Sequence, residues 1–151
     1  VQTCALPIFV QTYSPEWLAR GARVSLDADE DLPPRRHDPQ AIRQVLINLV
    51  DNAIAYAGSS PGVELRLGLR DGVLVLEVED DGPGMSDDAR ERTARALARG
   101  SPLAEAQGTG LGLALVAQIA RAHGATLELA RSAKGNGLCV GLSFAAEQEQ
   151  R

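Results

Sequence analysis

Three short groups of polar and glycine residues in this chain have the types and spacings of a nucleotide site. They are Asn48-x-x-x-Asn52 in a helical pattern, Asp-Asp-Gly-Pro-Gly at 80–84 after a strand pattern, and Gly-Thr-Gly-Leu-Gly-Leu at 108–113 opening another helical pattern. Glycines let the backbone approach phosphate oxygens, and a following helix adds the positive end of its dipole. Each group alone is a weak signal, but together they predict an ATP site.

The two asparagines are candidates for binding a metal ion. At about 100° per residue, Asn48 and Asn52 lie roughly 40° apart on the border of an apolar helix face. Their carboxamide oxygens suit Mg²⁺, which takes its other ligands from phosphates and water. The alternative is that both amides are simply solvated, although helix interiors disfavour asparagine.

Asp80 is a candidate for contacting the base. Strand alternation places it on the same face as the apolar residues 74, 76 and 78. A buried carboxylate is costly without a hydrogen-bond donor, and the exocyclic amine of adenine would supply one. Gly82 and Gly84 would let the base approach the backbone. Taken alone, this group also fits an acidic hairpin exit followed by a turn.

The elements that must position these groups follow from periodicity, caps and turns. Strands in hairpins between well-separated helices predict an α+β fold, a two-layer α/β sandwich in which helices cover one face of a mixed sheet. The predicted helices lie at about 15–22, 39–57 with Asp38 as N-cap, 87–100 after Ser86, and 111–123; the predicted strands lie at 23–27, 63–80 as a hairpin turning at Asp71-Gly72, 127–129 and 138–144.

Composition limits the classes of protein to which this chain can belong. A chain of 151 residues with 44% hydrophobic and 3% aromatic residues fits one domain with an aliphatic core. The net charge of -5 without a basic stripe argues against nucleic-acid binding, and no apolar run reaches the roughly 20 residues of a membrane span. Cys4 and Cys139 lack metal-ligand spacing, which favours a reduced, cytoplasmic setting.

The first eight residues, VQTCALPI, look like the translation of a common sequencing adapter and fit no helix or strand template well. We therefore interpret residues 1–8 as a non-native leader, 9–146 as the folded domain and 147–151 as a frayed tail. The alternative is an ordinary N-terminal strand that includes residues 8–10.

The ordered trio resembles the catalytic ATP-binding domain of bacterial sensor histidine kinases, in the superfamily that includes DNA gyrase and ATP-driven chaperones. Residues 44–56 resemble its asparagine box, 78–85 its first glycine box, 108–113 its second, and His123-Gly124 the usual exit from the last helix. The resemblance implies a Bergerat-type fold, ATP and Mg²⁺.

The resemblance also implies roles for individual residues. Asn52 would be the principal Mg²⁺ ligand and Asn48 its neighbour, and both would be catalytic. Asp80 would contact adenine. The remaining nucleotide-binding positions would be Tyr56, Gly82, Gly84, Met85, Gly108, Thr109, Gly110, Leu111, Gly112 and Leu113.

Position 48 bears on the type of reaction. Gyrase-like and chaperone ATPases resemble one another in having a glutamate there as general base, whereas asparagine cannot accept a proton. Phosphoryl transfer to a protein is therefore favoured over hydrolysis. Asp51, about 60° from Asn48, is interpreted as a solvated acid, with orientation of water as the alternative.

The sequence departs from the family pattern in two respects. The family often has a basic residue three positions after its second asparagine, and here that position is Ala55. Arg99 is our candidate for the missing positive charge and Arg95 the second, against the alternative of a solvated helix face. In addition, the segment between the glycine boxes lacks the usual aromatic residues.

The chain contains only two histidines, His37 and His123, and neither lies in a helical acceptor pattern. His123 is interpreted as a helix C-terminal cap. We therefore expect the phosphoacceptor histidine on a separate upstream dimerisation domain, with relay to a response regulator; membrane anchoring of the parent protein is left open. The alternatives are a stand-alone serine kinase, an ATPase and a non-catalytic nucleotide-sensing module.

Overall fold

The computed structural model describes residues 5–32, 38–58, 61–100, 110–133 and 135–145. The helices are α1 Ala5–Ala19, α2 Pro39–Tyr56, α3 Asp87–Arg99 and α4 Gly110–Ala122; the strands are β1 Arg23–Ala28, β2 Gly62–Arg70, β3 Val73–Asp80, β4 Ala125–Arg131 and β5 Leu138–Phe144. No helix in these ranges is long and apolar enough to cross a membrane.

The five strands form one mixed sheet in the order β1-β2-β3-β5-β4. β1 is parallel to β2, and the other neighbouring pairs are antiparallel. The β2–β3 hairpin turns at Asp71 and Gly72, whose φ angles of 50° and 79° suit a tight two-residue hairpin turn. The predicted hairpin and the predicted α+β class are confirmed.

The helix covering the middle of the sheet begins where its cap predicts. The Asp38 carboxylate accepts hydrogen bonds from the backbone N–H groups of Gln40 and Ala41, and Pro39 occupies the first turn, where a missing N–H costs nothing. Ser86 caps α3 in the same way, with its Oγ 3.2 Å from the nitrogen of Ala89. These two caps fix the starts of α2 and α3.

The core lies between the helices and one face of the sheet. Alternate residues of the central strands point into it, and α2 and α4 contribute its other side. The fully or nearly fully buried members include Val45, Val50, Leu65, Val116, Val140 and Leu142. The core is mainly aliphatic, as composition predicts, and the sandwich has two layers.

The N-terminal helix differs from the prediction. α1 begins at Ala5, and Pro15 lies inside it, so a helix starting near residue 15 was wrong, as was the alternative strand at 8–10. Phe9, Tyr13 and Trp17 recur every four residues and stack along one face, with successive ring centroids 4.7 and 5.8 Å apart. Trp17 is 2% exposed, so this stripe joins α1 to the core.

Candidate functional site

Chain connectivity brings the first two predicted groups to one edge of the sheet. α2 ends at Tyr56, only a few residues before Val63, and Val63 is the register partner of Asp80 on the neighbouring strand. Since α2 also packs on β2 and β3, its C-terminal half and the end of β3 share this edge. The C-terminal end of α2, the helix that carries the asparagines, is therefore at the same edge of the sheet as the end of β3.

The third group reaches the same region through Gly112 in the first turn of α4. A Cβ at Gly112 would lie 3.4 Å from Oδ1 and 3.5 Å from Nδ2 of Asn52. Because glycine lacks that atom, α4 packs closely against the Asn52 carboxamide. α2 and α4 are in contact here, so the helix that opens with the second glycine box meets the asparagine box.

Asp80 is buried at the end of β3, and its two carboxylate oxygens have different surroundings. Oδ1 accepts backbone hydrogen bonds from Gly82 at 2.9 Å and from Leu138 at 3.3 Å. Among the described residues, none donates to Oδ2. Burial raises the pKa of Asp80, and the two N–H groups oppose that rise without cancelling it. The fold thus fixes one oxygen of this carboxylate with two backbone N–H groups.

The loop between β4 and β5 was missing from the sequence-based site. A Cβ on Gly137 would lie 1.8 Å from the carbonyl oxygen of Asp80, and one on Gly84 would lie 1.9 Å from that of Asn136. Only glycine permits this interlocking of the two loops, and the interlocking brings the Leu138 N–H to Asp80. The signal available in the sequence is Gly-Asn-Gly at 135–137, between the two predicted C-terminal strands.

The asparagine side chains lie on a half-buried border of α2, as predicted. Oδ1 of Asn48 accepts a hydrogen bond from Nε2 of Gln44, 2.8 Å away and one turn earlier. This bond orients the carboxamide and uses only one of the two lone pairs of its oxygen. Asn52 faces Gly112 of the neighbouring helix. Both amides are therefore oriented by the fold.

The remaining predicted nucleotide positions are distributed as follows. Gly82 is buried beside Asp80, Gly84 has a φ of 69° that favours glycine, and Met85 is half-buried in the following loop. Leu113 is 7% exposed and belongs to the hydrophobic core. Gly108 and Thr109 lie outside the described residues, and only the backbone is described for Tyr56, Gly110 and Leu111.

The arginines considered for contacting phosphate are both exposed, and the acid of α2 forms an ion pair. Arg95 forms an exposed pair with Glu91 at 3.7 Å, and Arg99 is exposed in the last turn of α3. Asp51 is not merely solvated as interpreted from the sequence, because Nη1 of Arg20 lies 2.7 Å from its Oδ1.

His123 closes α4. Its Nδ1 lies 2.9 Å from the carbonyl oxygen of Ile119, and its Nε2 accepts a hydrogen bond from the backbone N–H of Asp38. The ring is thus a neutral tautomer that donates to an end carbonyl of the helix, which confirms the C-terminal cap. His37 lies outside the described residues.

A cavity of about 410 Å³ lies at the edge of the sheet where β3 ends, mainly on the helix-free face, and Asp80 is among its lining residues. Its walls include Arg23, Ser25, Glu64 and Glu79, which alternate with the core residues of their strands. Asn48, Asn52 and Gly112 do not line it. The cavity therefore reaches Asp80, one of the predicted nucleotide residues, but not the two asparagines.

Ion pairs cover part of this helix-free face. Arg66 lies 2.5 Å from the Glu79 carboxylate, which is 4% exposed, and also contacts Glu64 and Glu77. The Cys139 thiol donates to Oε2 of Glu77 at 3.2 Å. Burial, together with the Glu77 carboxylate, raises the pKa of Cys139 to about 12.

This pKa predicts an unreactive thiol. In a Cys4→Ser variant, Cys139 is the single cysteine, and at pH 8 it should react with a disulfide reagent at least about a thousandfold more slowly in the native protein than after denaturation. Absorbance of the coloured thiolate released from the reagent follows the reaction. Equal rates in buffer and in guanidinium chloride would contradict the prediction.

Comparison with known proteins identifies the family to which the chain belongs. The family model described as histidine kinase-, DNA gyrase B- and HSP90-like ATPase matches residues 37–148. The chain is 36% identical over 129 residues to the methanogenesis regulatory histidine kinase FilI of Methanothrix harundinacea, covering 84% of this chain and 14% of that protein. It is 36% identical over 145 residues to the sensor histidine kinase GtrS of Pseudomonas aeruginosa, covering 94% and 28%.

Solved structures agree on the fold. The catalytic domain of histidine kinase ThkA superposes with a TM-score of 0.74 at 22% identity, covering 91% of this chain and 89% of that one. Full-length ShkA in complex with AMPPNP gives a TM-score of 0.74 at 27% identity, covering 94% and 30%. The chain spans less than a third of FilI and GtrS. It belongs to the family of histidine kinase-, DNA gyrase B- and HSP90-like ATPases, and within that family it is similar to sensor histidine kinases.

Proposed function

We propose that this domain binds Mg·ATP between Asp80 at the end of β3 and the asparagines Asn48 and Asn52 of α2. It then transfers the γ-phosphoryl group to a histidine on a separate dimerisation domain. The observation that carries the proposal is the Asp80 carboxylate. Two backbone N–H groups fix its Oδ1, while its Oδ2 remains for a donor such as the adenine amine. The contact of Asn52 with Gly112, which brings the first turn of α4 to the helix that carries both asparagines, also supports the proposal.

The donor set fits magnesium. Asn48 and Asn52 offer neutral amide oxygens, and Mg²⁺ combines few protein oxygens with phosphates and water. When bound, the ion would neutralise charge on the triphosphate. The residues of this chain would orient it, with Gln44 holding the Asn48 carboxamide in place. The glycines of the second box, Gly108 and Gly110 with Gly112, would line the phosphates.

Transfer is favoured over hydrolysis. Hydrolysis needs a base for water, and the amide of Asn48 cannot serve. Asp51, the carboxylate in the same turn, is paired with Arg20. In the proposed transfer, an imidazole nitrogen forms a bond to the γ-phosphorus, the bond to the bridging oxygen breaks, and ADP leaves with that electron pair. Positioning and charge neutralisation supply the catalysis.

The acceptor and its consequences are also part of the proposal. Since the curated relatives are far longer than this chain, the phosphoacceptor histidine belongs to a dimerisation domain of the parent kinase, which then passes the phosphoryl group to a response regulator. The domain works in the cytoplasm, where ATP is available. Arg99 is our candidate for an additional phosphate contact because it is exposed and Ala55 is uncharged.

The test is phosphotransfer in trans. The chain is mixed with the purified dimerisation domain of its parent kinase and γ-labelled ATP, and acid-labile, base-stable label on that domain is expected. A variant of the acceptor with glutamine at its histidine is the control. Acid-stable label would redirect the assignment to a serine kinase, and steady phosphate release without labelled protein would support an ATPase.

Removing the principal metal ligand gives a second measurement. Asn52→Ala is expected to weaken Mg·ATP binding about tenfold or more, since loss of a metal-site group typically costs 10- to 100-fold. Calorimetry with and without Mg²⁺ measures it, and Gln118→Ala, at an exposed position of α4, is the control. An unchanged magnesium dependence in Asn52→Ala would count against the assigned ligand.

A further inference from the structure

The turn of α2 that carries both asparagines also carries a carboxylate. Asp51 directly precedes Asn52 and lies three residues after Asn48. Residues three apart on a helix are neighbours, with Cβ atoms about 5–6 Å apart. Asp51 is therefore close to the amides proposed to hold the metal. At this position its negative charge would repel a bound triphosphate.

Arg20 compensates that charge from outside α2. Its Nη1 lies 2.7 Å from Oδ1 of Asp51, and the two side chains are 39% and 45% exposed. The backbone of Arg20 is fixed because its N–H donates to the carbonyl oxygens of Glu16 and Trp17, and Trp17 is buried in the core. The guanidinium thus reaches α2 from a rigid junction between α1 and β1.

The location of this ion pair indicates a role beyond stability. Exposed ion pairs contribute little to folding, since solvent screens them. Within about one Debye length of roughly 8 Å, however, an unpaired carboxylate still repels a polyanion. A second bridge between the same helices, from Arg43 to the hydroxyl of Tyr13, lies about two turns earlier along α2 and offers a matched comparison.

We propose that Arg20 is a positioning residue for nucleotide binding: it neutralises Asp51 and holds that carboxylate away from the metal and the triphosphate. This inference rests on the proposed function, because it assumes that Mg·ATP binds beside Asn48 and Asn52. It adds to that function a residue outside the asparagine and glycine boxes, contributed by the turn between α1 and β1.

The experiment is calorimetric titration of Mg·ATP into the full 151-residue chain and its variants. Arg20→Ala should weaken binding roughly tenfold, as expected for an uncompensated charge at this range, and the loss should shrink at high salt. Asp51→Asn should bind as the unmodified chain does. The double variant Arg20→Ala/Asp51→Asn should recover the lost affinity, and Arg43→Gln should leave it unchanged.

Recovery in the double variant is the decisive readout, because a purely structural link would not give it. If Asp51→Asn weakens binding as much as Arg20→Ala and the double variant stays weak, the pair acts mechanically and the proposal is overturned. Unchanged affinity in Arg20→Ala also overturns it. Failure of the proposed function is seen separately, as absence of Mg·ATP binding by the unmodified chain.

Discussion

Asp80→Asn is expected to weaken ATP binding by about 10- to 100-fold and to raise the thermal stability of the nucleotide-free domain. Asparagine keeps an oxygen for the N–H groups of Gly82 and Leu138 but places an NH₂ group where Oδ2 would accept from adenine. A hydrogen bond to a charged group contributes about 1.5–3 kcal/mol, and each 1.4 kcal/mol is about tenfold in affinity.

The gain in stability follows from the sign of the pKa shift. Burial raises the folded-state pKa of Asp80 above its ordinary value, so the folded protein holds this proton more tightly than the unfolded chain does. Stability therefore falls as pH rises from the ordinary aspartate pKa of about 4 through the raised one, and the charged group remains unfavourable above that window. Asparagine removes this contribution.

Thermal unfolding as a function of pH, with and without Mg·ATP, measures both effects. Asp81→Asn is the control, because Asp81 is exposed and its Oδ1 accepts from the Gly62 N–H. The Asp80 variant should be the more stable protein without ATP, should lose part of the pH dependence above about pH 4, and should gain little from added ATP. Wild-type affinity in Asp80→Asn would remove Asp80 from the site.

Gly137→Ala is expected to destabilise the domain by about 1–3 kcal/mol and to reduce ATP binding strongly. The added methyl would lie 1.8 Å from the carbonyl oxygen of Asp80 and 3.0 Å from its Oδ1. Because the nearest atoms are backbone, the loop itself must move. That movement withdraws the Leu138 N–H that orients the carboxylate.

Gly135→Ala provides a matched control in the same loop, since a Cβ there would meet nothing within 4 Å. Chemical denaturation gives the stability of both variants, and calorimetry gives their affinity for Mg·ATP. The Gly135 variant should resemble the unmodified protein in both measurements. Equal effects of the two substitutions would mean that loop entropy, rather than the contact with Asp80, determines the loss.

Local sequence signals predicted most of the fold because the physics involved is local. Asp38 followed by a proline at 39 starts α2, and the Asp71-Gly72 pair turns the hairpin, through bonds and φ angles set by neighbouring residues. The predicted start of α1 was wrong because a proline such as Pro15 is typical of the first turn of a helix. Its aromatic stripe, packed against the core, stabilises the helix on both sides of that proline.

The site was predictable only in part for the same reason. The strand period alone indicated that Asp80 would be buried, and the helix period placed Asn48 beside Asn52. The contact of Gly137 with Asp80 joins positions nearly sixty residues apart, and the pairing of Arg20 with Asp51 joins the turn after α1 to α2. Such contacts depend on how strands and helices assemble, and a local pattern does not record them.

The position of β3 in the strand order has a consequence for dynamics. β3 lies at the centre of the sheet, hydrogen-bonded to β2 on one side and β5 on the other. Central strands exchange their amide hydrogens mainly through global unfolding. Deuterium uptake near Val78 should therefore be among the slowest in the molecule. The strand that carries Asp80 should stay rigid, and entry and release of the nucleotide should depend on parts of the domain outside the sheet.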